Sequence, residues 1–141
     1  MAGVHFTFNN FRSLLELNIG ISQRLDENRA ESFTLLYCDF SDVATDNITQ
    51  SLATTLRSSD SIVNYDMDYY FVLPYTDKYG AEVVKQIFED IFERPIPGFL
   101  ISYPVDGENA RELLETIQNS VALFLKNDLN YLDRFLDEEN E

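Results

Sequence analysis

The stretch RSSDSIVNYDMDYYFVLP, Arg57 to Pro74, holds two short runs rich in β-branched and aromatic residues, Ser61 to Tyr65 and Tyr69 to Pro74. Asp66, Met67 and Asp68 separate them. Asp is a turn former because its carboxylate can satisfy nearby backbone N–H groups. Two β-like runs joined by so short a polar link read as a hairpin, with its turn within Tyr65 to Tyr69 and Pro74 closing the second strand.

Outward from this hairpin, strands alternate with helices. Upstream, Leu14, Leu17, Ile21 and Leu25 recur at helical spacing and predict a first helix over about Asn9 to Leu25. Ser32 to Phe40 (SFTLLYCDF) is apolar with an acid near its end and reads as a buried strand. A second helix is expected over Asn47 to Arg57. Downstream, Ala81, Val84, Phe88 and Ile91 mark a third helix, ended by Pro95-x-Pro97-Gly98. Phe99 to Tyr103 is a further strand. Asp106-Gly107 then turns the chain into a long helix with Ala110, Leu113, Leu114, Ile117, Val121 and Phe124 on its buried side. This order predicts an α/β (α+β) fold with a mixed or antiparallel sheet and helices packed on its faces. With no repeats or linker, it is read as one domain over residues 1–132, followed by an acidic tail over 133–141.

Charge and composition exclude several function classes. Ten basic residues against 25 acidic ones give a net charge of −15. Such a surface repels phosphates, so neither nucleic acid nor anionic lipid is an expected partner. No apolar run approaches a membrane span, so no membrane insertion is expected and a cytoplasmic location is the plain reading. The single His5 and single Cys38 leave no zinc cluster, and no disulfide can form within the chain. A Ser-His-Asp triad would have to use His5, five residues from the start of the chain, where ends are often loose. Cys38 falls mid-strand and reads as a small core residue.

The Arg57–Pro74 segment resembles the central segment of the GGDEF family, bacterial signalling domains that make cyclic di-GMP. In that family an Arg-x-x-Asp motif is followed, after five residues, by Gly-Gly-Asp-Glu-Phe and an apolar strand ending in Pro. Arg57-x-x-Asp60 and Asp66-Met67-Asp68-Tyr69-Tyr70 fall in that register without a gap. Leu35 to Phe40 is similar to the family's first strand, which ends in a metal-binding Asp, here Asp39. Ile101 to Gly107 is similar to its late strand-turn, and Asn119 to Lys126 to its last helix. The resemblance runs from about Phe8 to Asn130 and implies a cyclase palm-like fold.

The resemblance also implies lost activity. The two glycines let the backbone approach the nucleotide closely, and they stand here as Asp66 and Met67. The family Glu is Tyr69, which offers Mg²⁺ no carboxylate. Asp39 and Asp68 match the two family acids as a remnant metal pair, and Asn47 lies where a guanine-reading Asn would lie. Each also suits an ordinary strand-end, turn or cap role. Only nine residues separate Asn47 from Arg57, where the family has a longer nucleotide-holding segment. The reading is therefore of no enzyme and no cofactor. Two function classes remain. One is a regulatory module that binds a protein partner or forms a homodimer. The other is a cyclic di-GMP receptor in which Arg57 grips a phosphate and Asp60 accepts from guanine.

Overall fold

A computed structural model describes residues 3–25 and 31–136. Its five strands are β1 (Val4–His5), β2 (Glu31–Asp39), β3 (Ser61–Tyr65), β4 (Asp68–Pro74) and β5 (Gly98–Pro104). Its helices are α1 (Phe11–Leu25), α2 (Thr45–Thr55), α3 (Lys78–Phe92), α4 (Ala110–Leu125) and a short α5 (Asp133–Leu136). The strands form one mixed sheet in the order β1-β3-β4-β2-β5. Only the β1–β3 pair is parallel. From β2 to β5 the chain runs β-α-β-β-α-β. The crossover through α2 steps over β4, and the crossover through α3 steps over β2, giving two interlocked split βαβ units.

β2 is an interior strand, flanked by β4 and β5 and buried on both faces, which is why it reads as an unbroken apolar run. Strand side chains alternate in direction. Phe33, Leu35 and Tyr37 join Tyr70 and Val72 in one cluster, covered by α1, α4 and the C-terminal segment. Leu36, Cys38, Phe71 and Leu73 join the opposite cluster with Ile48 and Leu52 of α2 and Ala81 and Phe88 of α3. Gly98 starts β5 opposite Cys38, where a Cβ would lie 2.7 Å from the Tyr37 carbonyl oxygen. Asp77 caps α3 by accepting from Gly80 N, and Asn109 caps α4 by accepting from Glu112 N. Glu112 in turn accepts from Glu108 N, leaving fewer orphan N–H groups at that helix start.

The hairpin turns at Asp66-Met67, with Tyr65 paired to Asp68. Two expectations, on Phe124 and on residues 133–136, need correction, and the structure defines the buried helix faces. The buried face of α1 is Phe11, Leu14, Leu15 and Ile19, while Leu17 and Ile21 are exposed. The spacing 14-17-21 was a true helical signal that picked the edge of the stripe, one step from its centre. Phe124 and Ile91 lie on outer surfaces; Phe124 is 63% exposed and stacks on Phe99. Residues 133–136, read as the start of a tail, form α5 with Phe135 in the core. Arg12 donates to the Phe135 carbonyl, and Arg111 donates to that of Leu136 at 2.8 Å. The remainder of the acidic stretch, 137–141, lies outside the described residues.

Candidate functional site

The sheet brings the sequence candidates to two places. The first is the β2–β4 end beside the hairpin turn. Asp39 and Asp68 are direct cross-strand partners there, so the two acids that the resemblance pairs do stand side by side. Asp39 Oδ1 accepts from the Ser41 backbone N at 2.9 Å and from its hydroxyl at 2.6 Å. Asp68 is held more fully. Its Oδ1 accepts from the Tyr37 hydroxyl at 2.6 Å, and its Oδ2 accepts from the Tyr131 hydroxyl at 2.8 Å. Asn127 Nδ2 reaches the same Oδ1 at 3.5 Å and donates to the Tyr37 hydroxyl at 2.7 Å. Tyr131 also shares a 2.6 Å hydrogen bond with Tyr70.

Burial pushes the hydroxyls of Tyr37, Tyr70 and Tyr131 well above the ordinary tyrosine pKa, and the Asp68 carboxylate pushes in the same direction. All three therefore stay protonated and able to donate. A hard cation needs several open oxygen ligands, and here both Asp68 oxygens already accept a tyrosine hydrogen bond. These bonds compete with any cation for the same carboxylate. Among the described residues, no three His, Cys, Asp or Glu side chains converge as metal ligands.

The other hairpin positions follow from the turn. Asp66 is exposed and takes a left-handed conformation with φ of 52°, which Asp tolerates better than most residues. Its carbonyl accepts from Asn64 Nδ2, and the Met67 carbonyl accepts from Phe40 N. Tyr69 is buried on the opposite sheet face against Phe40, with ring centroids 5.0 Å apart. Burial raises its hydroxyl pKa as well. Tyr70 is buried toward α1, against Phe11. Asn47 lies within α2, and its side chain is outside the described set.

The second place is the end of α2. Arg57 and Asp60 form a clasp around a tight turn. Asp60 is 3% exposed, and its carboxylate accepts from both the backbone N and the guanidinium of Arg57, at 2.8 and 3.1 Å. The same Arg57 Nη2 donates to the Pro74 carbonyl at 2.8 Å and to the Thr76 hydroxyl at 2.9 Å. Arg57 thus ties the α2–β3 link to the end of β4. Its side chain is still 54% exposed, at the edge of a cleft of about 750 Å³. Thr55, Leu73, Tyr75, Gly80 and Val84 line this cleft, together with the acids Glu31, Asp60 and Asp77. Three carboxylates face one guanidinium, so the cleft carries a negative balance.

Sequence reasoning missed Asn127 and Tyr131 on Asp68, and Thr76 and the Pro74 carbonyl on Arg57. Asn127 and Tyr131 lie 59 and 63 residues from Asp68, and no local pattern links positions so far apart. Cys38 is wholly buried, and burial raises its thiol pKa, which suppresses the reactive thiolate. His5 Nε2 lies 2.7 Å from Asn64 Oδ1, on β1, which pairs with β3. No protein-family model matches the chain, and no curated protein matches it in sequence. Among the described residues, no helix is long and apolar enough to cross a membrane.

Proposed function

We propose that this chain is a non-catalytic, GGDEF-like regulatory domain that acts by docking another protein rather than by handling GTP. The observation that carries this reading is the cage around Asp68. The carboxylate that a cyclase would give to a metal is bound on both oxygens by Tyr37 and Tyr131. Support for the resemblance comes from register. The turn falls on Asp66-Met67, where the family has its two glycines, and Asp39 pairs with Asp68 as the family's acids would. The short link is consistent too, since α2 alone fills the span between Asn47 and Arg57.

A second reading rests on the cleft at Arg57. Its size suits a small-molecule ligand, and the guanidinium is half exposed at its edge. Against cyclic di-GMP stand Glu31, Asp60 and Asp77, which would face a dianion. Calorimetric titration of wild type and Arg57→Ala with GTP plus Mg²⁺, and separately with cyclic di-GMP, tests both. The expected result is no saturable binding of either nucleotide. GTP binding that needs Mg²⁺ would overturn the non-catalytic reading. Cyclic di-GMP binding that disappears in Arg57→Ala would install the receptor reading in its place.

A further inference from the structure

We propose that the outer face of α3 docks a basic amphipathic helix from another protein. This rests on the partner-binding reading above and names its surface and chemistry. Tyr79, Val83, Ile87 and Ile91 recur every four residues along α3 and are 79, 38, 39 and 42% exposed. The opposite side of the helix already has its core contacts, through Ala81 and Phe88. The outer row is thus a second apolar face on a helix that needs only one. Three of its four members are aliphatic and β-branched, with stiff side chains that lose little rotamer freedom on being covered.

Charge indicates the occupant. Glu82, Gln86 and Asp90 follow the apolar row three residues on, so each lies beside a row member on the helix surface, and Glu93 extends that side. Among the described residues, Glu82, Asp90 and Glu93 make no ion pair. The nearby lysines are already engaged, Lys85 with Glu89 and Lys78 with Glu31 and Asp106. An apolar row edged by unpaired carboxylates complements a helix with apolar anchors edged by Lys or Arg. At its far end, Ile91 lines a groove between α2 and α3 of about 350 Å³, with Gln50, Ser51, Thr54 and Phe92 as the other walls. That groove offers a seat for one anchor side chain. A second copy of this chain is a poor occupant, because it would bring another charge of −15 against these acids.

The test is fluorescence anisotropy with a labelled model helix of Leu and Lys, amphipathic at helical spacing. A scrambled peptide of the same composition and a Leu-Glu counterpart serve as controls. The Leu-Lys helix should bind at least about tenfold more tightly than either control. Val83→Gln with Ile87→Gln should weaken it about tenfold, the usual scale for losing apolar anchors. Glu82→Gln with Asp90→Asn should weaken it more than Glu108→Gln with Asp66→Asn, which removes the same charge elsewhere. Unchanged melting temperatures establish that these exposed variants fold. Equal binding of the scrambled peptide, or binding indifferent to Val83 and Ile87, would overturn the proposal. So would a wild-type dimer in sedimentation that Ile87→Gln dissociates, since the face would then belong to a second copy. GTP binding that needs Mg²⁺ would defeat the non-catalytic reading and leave these peptide results standing. Failure of the peptide with no nucleotide bound would defeat only this surface.

Discussion

Asp68 stands at the hairpin as a structural acceptor for Tyr37, Tyr131 and Asn127, with Tyr70 bonded to Tyr131 behind them. A hydrogen bond to a charged group contributes about 1.5–3 kcal/mol, and its loss leaves a partly buried acceptor unmatched. Tyr131→Phe should therefore lower stability by about that amount, read from the denaturation midpoint at unchanged m-value. The same tyrosines set an alkaline limit. Their pKa values are raised in the fold, from a reference of 10.0. Above that pH the unfolded chain loses protons that the folded chain keeps, so stability falls as pH rises. Below it both states keep them, and this contribution is constant. Wild type should lose stability progressively above about pH 10. Tyr37→Phe with Tyr131→Phe should flatten that limb while lowering the neutral-pH plateau. An unchanged alkaline slope would mean that these hydroxyls are not held as described.

At the scale of elements, periodicity carried most of the layout. The strands at Ser61–Tyr65 and Asp68–Pro74 lie within a residue of the β-branched and aromatic runs, and helices α3 and α4 lie where helical spacing put them. Which face of a helix is buried was harder to read. Ile91 and Phe124 satisfy helical spacing yet sit outside, because apolarity alone does not say which neighbour a stripe will meet. Two short pieces were illegible. β1 is two residues long and owes its place to pairing with β3. α5 was hidden by charge, since Asp133, Asp137, Glu138 and Glu139 outweigh Leu132, Phe135 and Leu136 in any composition window. Yet Phe135 packs against Phe8 and Phe11, at centroid distances of 5.1 and 6.1 Å. Phe135→Ala should destabilise the protein by about 3–5 kcal/mol, the range for emptying a buried aromatic site. Removing residues 137–141 by truncation after Leu136 leaves those contacts in place and serves as the comparison in the same thermal melt. Equal, small effects from both would return 133–136 to the tail.

At the scale of the molecule, the fold class followed from the order of elements, and the candidate sites followed only from a resemblance. Sequence put Arg57, Asp60, Asp39 and Asp68 on the page, but not the contacts that occupy Arg57 and Asp68, which come from β2, the end of β4 and the segment beyond α4. The net charge of −15 acts in one direction throughout. It opposes nucleotides at the Arg57 cleft and at the hairpin, and it favours a basic partner along α3. The purified chain should be incubated with GTP and Mg²⁺, and the mixture resolved for cyclic di-GMP. No product above the buffer blank is expected. The triple change Asp66→Gly, Met67→Gly and Tyr69→Glu, which restores the family motif, should not rescue activity, because Tyr37 and Tyr131 would still hold Asp68. Product formed by wild type and abolished by Asp39→Ala would contradict the account.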